Sequence, residues 1–208
     1  QTYKNWEIIF WDNCSTDNSI EIVKNYGDKK IRIFKNKENV RLYKARNQAI
    51  NKIDGEFTTF LDVDDYWLED KLHNQIKKLK LDNSSFIYTN HYIKEKKLKI
   101  FSKQNLPYGY INKKLLHSYP IYISTAMLRS KIFYEENFRF NENYEILGDF
   151  DLFYKLSKKF YFSVIQEPVV VYRSHENNTS KKKVKLKIEE IDDWINKNEL
   201  NEDKNDIQ

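Results

Sequence analysis

Residues 1–81 alternate between short apolar runs and amphipathic segments, and this alternation restricts the chain to few folds. The apolar runs at 7–11, 31–34 and 57–61 have the length and composition of buried strands. Each run is followed, after a short polar connection, by apolar residues at helical spacing. Strands that alternate with helices in this way form a mostly parallel sheet with helices on both faces. We therefore predict an α/β fold.

The alternation becomes irregular from about residue 85, which indicates a smaller region of mixed structure. No internal repeat or long linker interrupts the chain, so we predict one domain over 1–180, with halves at 1–90 and 91–180, and a charged C-terminal helix at 181–208. In the irregular half the patterns predict strands at 85–89, 121–128, 160–165 and 169–172, a hairpin of 92–93 with 98–101, and helices at 113–117, 149–158 and 181–198.

Carboxylates are concentrated where two predicted strands end. Asp62, Asp64 and Asp65 follow the run 57–61, and Asp12 follows the first strand. Ligands of open α/β sheets bind at the carboxyl ends of the strands, so we expect these side chains at one edge. Close carboxylates repel one another unless a cation or hydrogen bonds compensate, and oxygen ligands suit Mg²⁺ or Mn²⁺. A metal–diphosphate site is one interpretation, and an Asp-rich turn in which Asp65 caps the next helix is the other.

Four further residues have positions that suit a binding site. Arg46 lies inside the second predicted helix, where it either faces the same sheet edge or is a surface arginine. Asp149 begins a predicted helix, and it is either the helix cap or a general base that takes a proton from a hydroxyl. Arg173 and His175 lie in a polar loop after a strand, where they could clamp a diphosphate or bind a metal. The residues alone leave these alternatives open.

Composition excludes several classes of protein. The 208 residues are 40% hydrophobic and 32% charged, which is typical of a globular chain. The lone Cys14 excludes an internal disulfide and a cysteine-based zinc site. No apolar run approaches the roughly 18 residues of a membrane span. Much of the lysine excess lies in runs at 94–99 and 181–187, which we interpret as solvated faces. Contact with an anionic membrane surface is the weaker alternative, and we expect no nucleic-acid binding.

Five sequence blocks, in their usual order, resemble the signatures of family 2 glycosyltransferases. A single Asp-x-Asp block would be weak support, whereas five ordered blocks over most of residues 1–180 are specific. The first contains Asp12-Asn13-Cys14-Ser15-Thr16-Asp17, and the third contains Asp62-Val63-Asp64. All five lie at residues 1–17, 39–50, 61–65, 148–152 and 167–180.

The resemblance implies a GT-A type, Rossmann-like fold that binds a nucleotide-diphosphate sugar, most often a UDP-sugar. It places the nucleotide sugar in the half 1–90 and the acceptor in the half 91–180. The implied activity is that of an inverting hexosyltransferase that depends on Mn²⁺ or Mg²⁺. The expected acceptor is a glycan or glycolipid in the synthesis of bacterial surface polysaccharide or lipooligosaccharide. The expected location is the cytoplasm, with peripheral contact at the inner face of the cytoplasmic membrane left open.

Positions that match the family's blocks receive roles in donor binding. The resemblance implies that Asp12 contacts the base and that Arg46 lies near the base or the diphosphate. Asp62 would lie by the ribose and the metal. Arg173 would belong to a flexible loop over the donor.

The same resemblance implies the metal ligands and the base. Asp64 would bind the metal together with Asp62, and His175 would join them from the loop over the donor. Asp149 would deprotonate the acceptor hydroxyl.

The chain also departs from the family's pattern. The usual opening strand is absent, so we expect a chain that lacks its N-terminal segment. Asn13 and Cys14 replace an aspartate and a glycine, and Gly148 replaces the glutamate that usually precedes Asp149. These departures leave a non-catalytic nucleotide-sugar-binding subunit as an alternative. A nucleotidyltransferase is a more distant one, because it usually has a Gly-rich phosphate loop and the chain contains 4 glycines.

Overall fold

The computed structural model describes residues 1–198, apart from the side chain of Ser180, and the strands in this range form two sheets. The smaller sheet pairs β1 (Ile8–Asp12) in parallel with β2 (Ile31–Lys35). Helix α1 (Ser19–Asn25) connects them and has no buried residue, although its apolar spacing predicts a packed face. After β2 the chain enters α2 (Leu42–Ile50), which lies next to β1 and buries part of one face.

The larger sheet has strands of mixed direction, in the order β3-β7-β5-β8-β4, and β6 pairs with β5 at one side. Among its described pairs, β5 and β8 run parallel and the others run antiparallel. The strands are β3 (Phe57–Thr59), β4 (Tyr66–Trp67), β5 (Phe86–Lys94), β6 (Leu98–Ile100), β7 (Met127–Arg129) and β8 (Phe162–Arg173).

The α/β class is confirmed, but the larger sheet is mixed and not mostly parallel. The parallel arrangement holds for the pairs β1–β2 and β5–β8. Parallel neighbours need a long crossover, whereas β6 follows β5 through a tight turn and therefore runs antiparallel to it.

The remaining helices surround the larger sheet, and most lie near their predicted positions. They are α3 (Lys71–Leu81), α4 (Asn112–His117), α5 (Lys131–Tyr134), α6 (Gly148–Lys159), α7 (Thr179–Lys182) and α8 (Val184–Lys197). The predicted helix 181–208 thus divides into α7 and α8, and its residues 199–208 lie outside the described part of the chain.

Two predicted strand assignments differ from the structure. The strand at 121–128 is wrong, because Ile123–Thr125 forms a 3-10 turn and the strand begins only at Met127. The Tyr122 carbonyl accepts hydrogen bonds from both the backbone and the hydroxyl of Thr125, which stabilises this turn. The two strands predicted on either side of Pro168 are a single strand, β8, with an irregular register opposite Pro168.

The larger sheet separates two apolar clusters. Alternate residues of a strand point to opposite faces, so Phe86 and Tyr88 join the main core while Ile87 joins a smaller cluster beneath α3. Trp194 of α8 is also in the main core, so the C-terminal helix packs with the rest of the chain. None of the described helices is both long enough and apolar enough to cross a membrane.

Candidate active site

Arg46 of α2 and Asp62, just after β3, form a close ion pair at the carboxyl end of β3. The distance from Arg46 Nη2 to Asp62 Oδ1 is 2.6 Å, and the Arg46 side chain is only 13% exposed. Its guanidinium also lies over the rings of Tyr43 and Phe140. Burial lowers the pKa of Arg46, but the charges of Asp62 and Asp149 outweigh burial and raise this pKa. Arg46 therefore belongs to the carboxylate site and is not a surface arginine.

Asp65 is buried and holds the end of β8, where the following loop begins. Its Oδ2 accepts hydrogen bonds from the hydroxyls of Tyr122, at 2.5 Å, and Ser124, at 2.9 Å. Its Oδ1 accepts the backbone N–H of Arg173 at 3.1 Å. The interpretation of Asp65 as a helix cap is wrong, because α3 begins at Lys71, beyond its reach. Burial raises the pKa of Asp65, and the hydrogen bond from Tyr122 opposes this shift.

Asp64 contacts the same loop through its side chain. His175 Nε2 lies 2.9 Å from Asp64 Oδ2, and Asn178 Nδ2 donates to that oxygen at 3.2 Å. Arg173 Nε donates to the backbone carbonyl of Asp64. The Asp64 and His175 side chains are 35% and 43% exposed, so a ligand in solvent can reach both. The structure thus brings together three of the predicted residues, Asp64, Arg173 and His175.

These residues fit part of a divalent-metal site. Asp64 offers a hard carboxylate oxygen, which suits Mg²⁺ and Mn²⁺, and His175 offers an imidazole nitrogen, a ligand of divalent transition metals. Asp62 is engaged by Arg46, and no group of three His, Cys, Asp or Glu side chains within residues 1–198 converges on one point. Mg²⁺ and Mn²⁺ commonly take their remaining ligands from substrate phosphates and water. Asp64 and His175 are therefore the pair that could hold a metal together with a diphosphate.

Asp149 is the second residue of α6 and lies within the electrostatic reach of Arg46. Tyr43 Oη donates to Asp149 Oδ1 at 3.3 Å and to the carbonyl of Ile146 at 3.0 Å. The backbone N–H of Phe150 donates to the same carboxylate at 2.8 Å. Burial raises the pKa of Asp149, while the charge of Arg46 and these hydrogen bonds oppose the shift. A carboxylate with a raised pKa is better suited to accept a proton at neutral pH.

Gly148 allows the Tyr43 ring to lie directly against the start of α6. A Cβ atom added to Gly148 would be 2.5 Å from Tyr43 Cδ2, which is too close for any larger residue. The ring therefore occupies the space that a side chain before Asp149 would need. Asp149 does not cap α6, because the helix starts at Gly148 and its N-cap, Leu147, makes no side-chain cap.

Asp12 makes no direct hydrogen bond to these groups. It is 2% exposed, and its Oδ1 accepts the backbone N–H of Ser15 at 3.1 Å. Its Oδ2 is buried and has no hydrogen-bond partner among the described residues, so this oxygen could accept a hydrogen bond from a ligand. β1 and β3 belong to different sheets, so the predicted common edge is not one continuous hydrogen-bonded edge.

The main residues that sequence reasoning missed are tyrosines. Tyr43 and Tyr122 donate to carboxylates of the site. The Tyr119 hydroxyl is inaccessible to solvent and makes no hydrogen bond of normal geometry within the described chain, but it lies close to the Asp149 carboxylate. Burial raises the pKa of Tyr119, and the charge of Asp149 adds to this effect. With 15 tyrosines in the sequence, no local signal distinguishes these three.

The family assignment comes from comparison with known proteins. The model of glycosyl transferase family 2 matches residues 1–138, which is most of the chain. The chain belongs to this family. The matched range contains Asp12, Arg46, Asp62 and Asp64, whereas Asp149 lies beyond it.

Two curated Escherichia coli proteins are similar to this chain over about half of its length. They are the UDP-Glc:alpha-D-GlcNAc-diphosphoundecaprenol beta-1,3-glucosyltransferases WfaP and WfgD, which are 40% and 39% identical to this chain over 95 and 93 residues. The alignments cover 46% and 45% of this chain. They span only 38% and 37% of the two relatives, so this chain matches less than half of each.

A solved structure of the same architecture supports the fold assignment. The crystal structure of S. aureus TarS 1-349 in complex with UDP-GlcNAc superposes on this chain with a TM-score of 0.68 and 19% identity. The superposition covers 83% of this chain and 50% of the TarS chain. At this identity the likeness concerns the fold, and it confirms the predicted GT-A type architecture.

Proposed function

We propose that this chain is the catalytic region of an inverting glycosyltransferase that transfers a hexose from a UDP-sugar to a hydroxyl group. The observation that carries the proposal is the convergence of Arg46, Asp62 and Asp149, which come from separate segments of the chain. Asp64 and His175 meet next to them. Such an arrangement in a family 2 chain offers a cation for the donor, a metal position and a base.

The donor would be held by residues on the side of the half 1–90. The free Oδ2 of Asp12 would accept a hydrogen bond from the nucleobase. Arg46 would meet the diphosphate or the base, and Asp62, which Arg46 orients, would accept a ribose hydroxyl. Arg173 ends β8, directly before the loop that Asp64 contacts, and its side chain would cover the bound donor.

Asp64 and His175 would hold a Mn²⁺ or Mg²⁺ ion, as the chemistry of the two side chains allows. When bound, the ion would supply Lewis-acid stabilisation of the charge that develops on the departing diphosphate. Arg46 binds Oδ1 of Asp62, so Asp62 would join the metal site through Oδ2, and we place it in the outer part of that site.

The reaction would be a single displacement at the anomeric carbon. The acceptor oxygen forms a bond to this carbon as the bond from the carbon to the phosphate oxygen breaks, and UDP leaves with the electron pair of the broken bond. Asp149 takes the proton of the attacking hydroxyl as the new bond forms. One displacement from the face opposite the leaving group inverts the anomeric configuration.

The acceptor would be a lipid-linked glycan used to build a bacterial surface polysaccharide or lipooligosaccharide. The names of WfaP and WfgD specify an acceptor on diphosphoundecaprenol, which favours a glycolipid here. An acceptor of this kind would place the reaction at the inner face of the cytoplasmic membrane. The enzyme would meet that surface by peripheral contact.

The decisive experiment compares Asp149→Asn with the unmodified protein. Asparagine keeps the shape of the side chain but cannot take the proton, so we expect UDP-sugar affinity to stay within about twofold. We expect turnover to fall by a factor on the order of 10²–10⁴. Binding is measured by calorimetry, and transfer to a lipid-linked acceptor is measured by UDP release.

The exposed Asp192→Ala is the matched control and should retain full turnover. Full turnover in Asp149→Asn would remove the base role. Donor binding without any transfer by the unmodified protein would favour the non-catalytic binding subunit.

A further inference from the structure

Helix α8 holds the segment that leads into Asp149. Glu190 is 7% exposed, and its carboxylate accepts three consecutive backbone N–H groups. Oε1 accepts from Glu145 at 2.6 Å, and Oε2 accepts from Ile146 at 2.9 Å and from Leu147 at 2.8 Å. Hydrogen bonds to an ionised acceptor are about twice as strong as neutral ones, so this segment is firmly attached to α8.

The same segment is held from the opposite direction by α2. Tyr43 Oη donates to the carbonyl of Ile146 at 3.0 Å and also reaches Asp149 Oδ1 at 3.3 Å. The Ile146 residue thus has its N–H bound by Glu190 and its carbonyl bound by Tyr43. Beyond Asp149, Trp194 Nε1 donates to Asp151 Oδ1 at 3.0 Å, so α8 holds the chain on both sides of the base.

Packing alone does not require an acid at position 190. Helix α8 already places Trp194 in the main core and packs Ile191 and Ile195 against it. Burying a carboxylate is costly unless it is fully hydrogen-bonded, so Glu190 would be unfavourable without its three donors. Those donors precede the first turn of α6, the turn that carries Asp149.

We infer that Glu190 is a positioning residue for Asp149: it fixes residues 145–147 so that the carboxylate of Asp149 meets the acceptor hydroxyl. The inference rests on the proposed function of Asp149. It adds a role for the C-terminal helix, which lies beyond the residues that the family model matches. A displacement of the base by about 1 Å can cost on the order of 100-fold in rate.

The test compares Glu190→Ala and Glu190→Gln with the neighbouring Glu189→Ala. Glu189 lies on the exposed side of α8, where it pairs with Lys185 at 3.8 Å, so it controls for the loss of an acid from this helix. For Glu190→Ala we expect kcat to fall by about 10- to 100-fold with the UDP-sugar KM within about twofold. Glu190→Gln keeps one acceptor oxygen and should recover part of the rate, and Glu189→Ala should match the unmodified protein.

Amide hydrogen exchange provides a readout that does not depend on activity. The N–H groups of residues 145–147 should be protected in the unmodified protein and in Glu189→Ala, and should exchange faster in Glu190→Ala. Unchanged exchange, or faster exchange with unchanged kcat, would overturn the inference. The inference would also be overturned if KM rose in Glu190→Ala by the same factor as kcat fell, and if Glu190→Gln recovered none of the rate. That result would indicate a general loss of structure.

The two proposals fail in different ways. If the unmodified protein transfers no sugar from any UDP-sugar, the proposed function fails, and the positioning role fails with it. In that case, amide hydrogen exchange at residues 145–147 still shows whether Glu190 holds this segment in place. If Glu190→Ala does not fold, Glu190→Gln carries the same comparison of kcat and exchange.

Discussion

The carboxylates that follow β3 have different partners, and these partners determine what each can do. Asp62 is paired with Arg46, and Asp65 is buried under Tyr122 and Ser124. Asp64 is held by His175 at a place that solvent can reach. Asp62 and Asp64 are equally exposed, at 35%, but the partner of Asp64 is a histidine, which is itself a metal-ligand type, so a metal ion could replace their direct contact at least cost.

Asp64→Ala should abolish the metal-dependent part of the transfer. Loss of the proposed ligand would remove Lewis-acid stabilisation worth several kcal/mol, so we expect the rate to fall by at least about 100-fold. Initial rates measured over a range of Mn²⁺ concentrations check this prediction, with Asp192→Ala as the control. A rate in Asp64→Ala that equals that of the unmodified enzyme at every Mn²⁺ concentration would remove the metal role.

The buried Tyr119 hydroxyl makes no hydrogen bond of normal geometry within the described chain, although it lies close enough to Asp149 to interact with that carboxylate. An unsatisfied buried hydroxyl costs roughly 1–3 kcal/mol, so Tyr119→Phe should leave the free energy of unfolding unchanged or raise it. During the reaction the hydroxyl can donate to Asp149, and losing that bond should lower kcat by about tenfold.

Urea unfolding and steady-state rates of Tyr119→Phe test the two parts of this prediction. Tyr110→Phe is the matched control, because Tyr110 is 69% exposed and packs edge-on against Tyr161. A stable Tyr119→Phe enzyme with full kcat would show that the hydroxyl contributes nothing to turnover.

At the scale of helices and strands, local patterns predicted the elements better than their pairing. Apolar spacing located α2, α3 and α6 because each buries one face. The direction of β7 could not be predicted, because it depends on pairing with β3 and β5, which are distant in the sequence. The same limit applies to the site: strand ends indicated Asp62 and Asp64, whereas Glu190 acts through backbone groups some 45 residues away.

The start of α6 shows how packing overrides local propensity. Alanine is favoured over glycine by about 1 kcal/mol inside a helix, yet Gly148→Ala would place Cβ 2.5 Å from the Tyr43 ring. Overpacking of this kind typically costs about 1–3 kcal/mol, so we expect Gly148→Ala to destabilise the protein and, by shifting α6, to lower kcat.

Urea unfolding of Gly148→Ala, Tyr43→Ala and the double variant checks this prediction. Removing the ring relieves the clash, so the double variant should lose less stability than the sum of the single changes. If the losses in unfolding free energy were additive, or if Gly148→Ala were as stable as the unmodified protein, the Tyr43 ring and the start of α6 would not compete for space.

On the scale of the whole molecule, β5 of the larger sheet carries a buried imidazole, that of His91. His91 is 5% exposed, its Nδ1 has no hydrogen-bond partner within the described range, and its ring stacks on Phe101 at 4.4 Å. Tyr122 lies on its other side, with ring centroids 5.6 Å apart. Burial lowers the pKa of His91 from 6.5 to about 4, so the folded protein keeps this imidazole neutral.

The free energy of unfolding should therefore depend on pH because of His91. Between pH 6.5 and about 4 the unfolded chain binds a proton here that the folded protein does not, so the free energy of unfolding falls as the pH is lowered through this range. The stability that the neutral imidazole contributes is fully present above pH 6.5, and a shift of this size corresponds to about 3 kcal/mol of unfolding free energy lost by pH 4.

His91→Phe keeps the stack on Phe101 without a titrating group, whereas the exposed His73→Gln should behave like the unmodified protein. Urea unfolding should show that the free energy of unfolding falls less between pH 7 and pH 4.5 for His91→Phe than for the other two proteins. Equal losses in all three proteins would contradict the assignment of this pH dependence to His91.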